Sequence, residues 1–167
     1  MVNRMLLVMI KRRANTFFMI VQRKVLKAAE MFVTDPWQEI VRYQSGQPHL
    51  AGKFGATTVF VGTLRDFNQG NAVQAMTLEH YAPMTGKHLE RVAGEAAERW
   101  PIDDLLVIHR YGELRPNDPI VCVAVWAAHR EAAFAACRYV IDELKTRAPF
   151  WKQEQTEQGQ RWVEQEK

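Results

Sequence analysis

The chain has only two cysteines in its 167 residues, Cys122 and Cys137. No CxxC and no Cys/His ligand spacing accompanies them, which excludes a disulfide framework and a zinc site as organising devices. Cys122 lies in an apolar run and Cys137 on a helical stripe, so both read as small core residues. No metal and no cofactor is expected. Long hydrophobic runs are missing too. The bursts Met5–Ile10 and Phe17–Val21 fall far short of the roughly 20 residues that a bilayer crossing needs. No membrane association is expected, and the cytoplasm is the expected location.

Acidic residues are absent from the first 27 positions, which hold Arg4, Lys11, Arg12, Arg13, Arg23, Lys24 and Lys27. The formal charge of +3 therefore misleads. The other 15 basic residues face all 19 acidic ones, a net of −4 for the body. A nucleic-acid footprint on the folded domain has no support from charge. An Arg-rich, acid-free start superficially suits a transit peptide or a membrane-surface helix. The simpler reading is an appended tail or an upstream start codon. Residues 1–30 are read as an extension and 31–167 as one domain, long enough for a real core.

Along the body, Pro36 after Asp35 marks a first helical turn in the stretch Phe32–Tyr43. Phe54–Leu64 is β-branched and aromatic and reads as a strand, with Gly62 marking a bulge or a close backbone approach. Val73–Tyr81 alternates and is expected to be its antiparallel partner. Pro83–Trp100 has helical spacing and stops before Pro101. Asp104–Tyr111 is a strand, Gly112–Pro119 a tight connection, and the apolar run Ile120–Ala127 a buried strand. His129-Arg130 opens a second long helix, with its stripe on Ala133, Cys137, Val140, Ile141 and Leu144. Arg161–Glu164 is expected as a short terminal strand. The fold class is α+β, with a mostly antiparallel sheet and two long packing helices.

The chemistry concentrates in Asp142–Glu154. Lys145, Arg147 and Lys152 fall within eight positions, with Phe150 and Trp151 between them. The residue before a proline is pushed out of helical geometry, so Ala148 should not be helical and the helix should end near Arg147. Lys145 then lies in the last turn and Lys152 in an extended segment, a corner that can aim two ammonium groups at one anion. Read alone, Lys145 is a surface lysine complementing the helix dipole. Arg65 read alone is a solvated loop arginine beside Asp66. His129 and Arg130 open the second long helix, whose free N–H groups already favour anions. At about 1.5 Å per residue, the 16 steps from His129 to Lys145 span about 24 Å. Both ends cannot grip one small ligand, so either they do different jobs or two copies of the chain build the site between them.

Four segments taken together resemble the large, catalytic subunit of molybdopterin synthase: Leu78-Glu-His-Tyr81, Val107-Ile-His-Arg-Tyr-Gly-Glu-Leu114, Ala128-His-Arg130 and Leu144-Lys-Thr-Arg-Ala-Pro-Phe-Trp-Lys152. The resemblance covers roughly residues 55–164, and its last block is highly specific. It implies an α/β hammerhead-type fold and a homodimer that binds two small ubiquitin-like sulfur-carrier subunits, a heterotetramer. The reaction implied converts cyclic pyranopterin monophosphate to molybdopterin, with sulfur arriving as a thiocarboxylate on the carrier's C-terminal Gly-Gly tail. Lys145 and Lys152 are the implied catalytic residues. Thr63, Leu64, Arg65, His129, Arg130, Gln153 and Glu154 join them as implied substrate-binding residues. Whether Lys145 serves as acid/base or attacks the carrier's acyl carbon stays open. The competing reading is a non-catalytic anion-binding or assembly module that docks the carrier. Arg65, His129, Arg130, Lys145 and Lys152 are all present together, which favours the enzyme.

Overall fold

An apolar strand with no polar face needs neighbours on both edges and cover on both sides. Pro119–Ala127 is such a strand, and the sheet forms around it. The computed structural model describes residues 8–12, 15–19, 22–27, 35–147 and 150–163, the first three ranges as backbone. Within them lie β1 (Val8–Arg12), β2 (Asn15–Met19), β3 (Gln22–Lys27), α1 (Pro36–Ser45), β4 (Ala56–Thr63), β5 (Phe67–Asn68) and β6 (Asn71–His80). They continue with α2 (Ala82–Arg99), β7 (Ile102–Leu114), β8 (Pro119–Ala127), α3 (Arg130–Thr146), β9 (Phe150–Thr156) and β10 (Gly159–Val163). The sheet order is β10-β9-β6-β7-β8-β4, with β5 on β6 and β3 on β7. The β3–β7 pairing is parallel, and the pairings along the main path are antiparallel. β1 and β2 pair separately. The α+β expectation with two long helices holds. The expectations about Ala148, Phe32, Val33 and Glu164 lie outside the described residues.

β4 does not pair with β6, contrary to the expected hairpin. Its partner is β8, from Ala56 opposite Ala127 to Thr63 opposite Pro119. β8 sits between β7 and β4, and its stretch Cys122–Ala127 is buried. β4 is only half-buried and serves as the sheet's outer strand. The end of β4 is fastened to the β7–β8 turn: Leu64 N–H donates to Asp118 O (3.0 Å) and Asn117 N–H to Leu64 O (2.9 Å). The expected bulge is present, with a register shift between Gly62 and Thr63. A Cβ on Gly62 would sit 2.9 Å from Val121 Cγ1 and 3.2 Å from Phe60 Cε1, so the close approach is real as well.

β7 also runs further than its pattern foretold, through Gly112 to Leu114. Gly112 has φ +93°, a conformation that only glycine adopts cheaply. Before it β7 pairs with β8, and after it with β6. The strand therefore switches partners at the glycine.

One face of the sheet packs against α2 and α3 through Leu89, Val92, Ala96, Val123, Val125, Val140 and Leu144. The other packs under α1 through Ile40, Tyr43, Leu106, Cys122 and Trp126. α1 is capped as its sequence foretold: the Asp35 side chain accepts from Trp37 N–H at 2.9 Å, with Pro36 in the first turn.

Candidate active site

α3 runs along the sheet with its two ends at two different openings. Lys145 occupies its last turn and His129 its N-cap. At the C-terminal end a cleft of ≈ 200 Å³ is lined by Thr63, Leu64, Arg65, Phe67, Asn68, Met76, Ile120, Lys145, Lys152, Glu154 and Val163. At the N-terminal end a more open hollow of ≈ 520 Å³ is lined by Gly55, Ala56, Ala128, His129, Arg130 and Glu131. Six of the expected site residues thus meet in the cleft, while His129 and Arg130 stand at the far end of the helix. Gln153 is not in the cleft lining. Successive strand residues point to opposite faces, so β9 offers Lys152 and Glu154 to the cleft and turns Gln153 away.

Each cleft residue is placed by a different element. Thr63 ends β4 beyond the bulge. Leu64 is buried, and Arg65 follows it into solvent with its guanidinium 5.1 Å from the Phe67 ring centroid. Lys145 is exposed and Lys152 half-buried. A polar seam between the long helices holds the turn that carries Lys145. Glu143 pairs with Arg147 (3.4 Å) and with Arg91 of α2 (3.8 Å). Tyr139 donates to Glu95, which also accepts from Arg91 at 2.9 Å. Arg147, part of the motif block, therefore braces the helix end and is not in the cleft lining.

Glu154 is the acidic residue in the cleft lining, and it is 2% exposed. Its carboxylate accepts from Arg161 Nε (3.0 Å) and Nη2 (2.8 Å) and from Asn68 Nδ2 (2.8 Å). Arg161 Nη2 also donates to the Asn68 carbonyl at 2.9 Å. The charge of Glu154 is answered within the wall by Arg161, and Lys145, Lys152 and Arg65 line the same opening. Sequence reasoning did not assign Asn68 or Arg161 to the site. The partnership joins β5, β9 and β10, and only the β9–β10 register, Arg161 opposite Glu154, reveals it.

Behind Lys152, His109 of β7 is buried and stacks on Phe150 at 3.8 Å between ring centroids. Its Nδ1 lies 2.8 Å from the Arg110 carbonyl, which as an acceptor requires the proton on that nitrogen. Burial pushes the imidazole down to about 4, with Lys152 and His80 adding to the effect. At neutral pH it is an uncharged support for the start of β9. In the other hollow, His129 makes no side-chain capping bond. Gly55 closes in so tightly that a Cβ there would lie 2.6 Å from Ala128 O. The two cysteines are buried, and burial pushes the thiols up to about 12 for Cys122 and about 11 for Cys137. Neither lines the cleft or the hollow. Among the described residues, no helix is long and apolar enough to cross a membrane.

Comparison with known proteins bears on the same segments. The family model described as MoaE protein matches residues 29–147. A molybdopterin synthase catalytic subunit of Pseudomonas aeruginosa is 56% identical over 130 residues, covering 78% of this chain and 84% of that one. One of Ralstonia nicotianae is 52% identical over 126 residues, 75% of this chain and 69% of that one. The solved molybdopterin biosynthesis MoaE protein of Burkholderia ambifaria superposes with a TM-score of 0.67 at 44% identity, covering 88% of this chain and 90% of that one. A complex of subunits 1 and 2 of the molybdopterin-converting factor from Helicobacter pylori shares the fold, with a TM-score of 0.67 at 21% identity over 85% of this chain and 90% of that one. A family match over well over half the chain, with relatives above half identity, establishes that this chain belongs to the MoaE family.

Proposed function

We infer that this chain is the catalytic subunit of a molybdopterin synthase, a sulfurtransferase of molybdenum cofactor biosynthesis. The observation that carries the reading is the cleft itself. Lys145, Lys152 and Arg65 converge on an opening whose one lining carboxylate is already held by Arg161. Such a site suits ligands that are anions at every stage, here a cyclic phosphate and a thiocarboxylate tail.

The carrier is a small ubiquitin-like subunit whose C-terminal tail enters the cleft and ends at Lys145. The thiocarboxylate sulfur attacks an electrophilic carbon of the pterin side chain. Lys145 moves the proton or accepts the acyl group, and Lys152 and Arg65 hold the developing negative charge. Where Lys145 moves the proton, water cleaves the acyl–sulfur bond. Where Lys145 takes the acyl group, its amine breaks that bond and water then cleaves the acyl–lysine amide. On either route the sulfur stays on the pterin carbon and the carrier leaves as a carboxylate. A second loaded carrier supplies the second sulfur of the dithiolene, and the cyclic phosphate opens along the way. In this scheme sulfur comes from the partner and the chain itself needs no cofactor. Leu64 forms the apolar floor, and Thr63 and Glu154 complete the wall.

Two copies of the chain share each site, one supplying Lys145 and the other His129 and Arg130, with one carrier bound to each copy. Two observations support this. The two cation groups lie at opposite ends of one helix, and the ≈ 200 Å³ cleft is smaller than the roughly 300–1,000 Å³ of ordinary ligand pockets. The Helicobacter pylori relative was solved as a complex of two subunits, in keeping with a bound carrier. The family match begins at residue 29, which supports treating residues 1–30 as an extension outside the chemistry. The cytoplasm is the proposed location.

The test is product formation from purified chain, thiocarboxylated carrier and cyclic pyranopterin monophosphate, followed by mixing His129→Ala with Lys145→Ala chains. The reading expects dithiolene product from the native chain and partial recovery in the mixed dimers. Carrier binding without any product would favour the assembly-module alternative.

A further inference from the structure

We propose that Arg110 of β7 is a positioning residue for sulfur transfer: it pins the β7–β8 turn, and that turn holds residues 63–65 in the cleft wall. The inference rests on the sulfur-transfer reading above, in which Arg65 meets the anionic pterin.

Arg110 is 2% exposed, on the strand face whose neighbours Leu106 and Ile108 belong to the core under α1. A guanidinium is almost never buried so fully unless its charge is answered. Here Nη1 donates to the Pro119 carbonyl at 3.0 Å and lies 4.0 Å from Asp118 Oδ2. Both partners belong to the connection between β7 and β8. Closing that turn does not require Arg110. Pro116 in second place and Asn117 at φ +72° in third fit a type II turn. Asp118 N–H donates to the Arg115 carbonyl at 2.9 Å, and Arg115 N–H to the Asp118 carboxylate at 2.8 Å. What the guanidinium adds is an anchor between the closed turn and the sheet core.

The anchored turn grips the cleft wall. Leu64 N–H donates to the Asp118 carbonyl (3.0 Å), and the Leu64 carbonyl accepts from Asn117 N–H (2.9 Å). Leu64 is thus clamped at both its peptide units. Thr63 precedes it and Arg65 follows it, and all three line the cleft. The ladder passes from Gly62 opposite Val121 to Thr63 opposite Pro119, so Ile120 is the extra residue of the bulge, and it lines the cleft too. Four lining residues take their places from one turn. A misplacement of about 1 Å in a site group can cost up to about 100-fold in rate, so loosening the anchor should be visible in turnover.

The experiment compares Arg110→Met and Arg110→Lys with the native chain, each with and without Arg65→Ala, at excess loaded carrier and varied cyclic pyranopterin monophosphate. Arg110→Met should raise the KM for the pterin about tenfold and leave kcat within about twofold. Arg110→Lys keeps a charge and a donor, so its KM should rise only about threefold. In the Arg65→Ala background Arg110→Met should add less than about twofold, because its effect runs through Arg65. A kcat that falls with the folded fraction at unchanged KM overturns the proposal, and so does a KM penalty that multiplies in the double variant. Amide hydrogen exchange on the same proteins reads the anchor without turnover. The Leu64 and Asn117 amides should exchange about tenfold faster in Arg110→Met, with the amides of α2 and α3 unchanged. Acceleration spread evenly through the chain marks a merely structural arginine and overturns the proposal. If Arg110→Met does not fold, Arg110→Lys carries both readouts under the same criteria. A native chain that makes no product sinks the sulfur-transfer reading instead, and the exchange pattern still decides whether Arg110 holds this wall.

Discussion

Replacing Arg161 by alanine should loosen the chain and the cleft together. Glu154 is almost wholly buried, and two of its three side-chain hydrogen bonds come from Arg161. Without them a buried carboxylate keeps one amide donor. Orphaning one member of a buried ion pair costs about 3–5 kcal/mol. The Arg161 side chain is 31% exposed, so water can reach the vacated space, and the lower end, about 3 kcal/mol, is the appropriate figure. In a domain of this size that corresponds to roughly 10 °C in Tm. Glu154→Ala should cost less, about 2 kcal/mol, because the freed guanidinium can turn toward solvent. The double variant orphans neither charge, so it should cost about 3 kcal/mol and not the roughly 5 kcal/mol of simple addition. Urea unfolding of the four proteins at neutral pH measures the cycle, and turnover on the same samples reports the cleft. If Arg161→Ala stays within about 0.5 kcal/mol of the native chain, or the two single costs add, the pair does not hold this wall.

Two buried groups should give opposite pH dependences. His109, pushed down to about 4 by burial, resists a proton that the unfolded chain accepts near 6.5, so its contribution is lost as pH falls from about 6.5 to 4. Asp104, pushed up to about 6 mainly by burial, holds a proton that the unfolded chain releases near 4, so its contribution is lost as pH rises from about 4 to 6. In urea midpoints across this window, His109→Phe should make stability fall more with rising pH and Asp104→Asn should make it climb more. Variants that both follow the native slope would refute the assignments. The thiols of Cys122 and Cys137 should resist alkylation in the folded chain and react fully in urea, with turnover unaffected by the reagent. Rapid native labelling that inhibits turnover would contradict their placement in the core.

The elements that local chemistry specifies were legible in advance. Asp35 and Pro36 start α1, the helical stripes of α2 and α3 face the sheet, and Pro-Asn-Asp-Pro turns β7 into β8. In that turn Asn117 takes φ +72° and the Asp118 carboxylate accepts from Arg115 N–H at 2.8 Å. The corner carrying Lys145 and Lys152 was legible for the same reason. Pairing between distant strands was not. β4 and β6 both alternate and follow one another, which reads as a hairpin. The apolar run of β8 calls for a neighbour on each edge, but nothing local records that β4 is the second one, or that Gly112 lets β7 change partners. The Glu154–Arg161–Asn68 junction and the Arg91–Glu143–Arg147 brace escaped because their members meet only through register and helix packing. Gln153 falls outside this chain's cleft lining through strand parity, which depends on which of two faces β9 turns to the cleft.

The most direct measurement is single-turnover sulfur transfer by Lys145→Ala, with saturating thiocarboxylated carrier, cyclic pyranopterin monophosphate, and carrier binding verified on the same sample. The amine in the last turn of α3 is held to do the chemistry, so carrier should bind and sulfur should not reach the pterin. Transfer at a near-native rate would contradict that claim, whatever the remaining cations contribute.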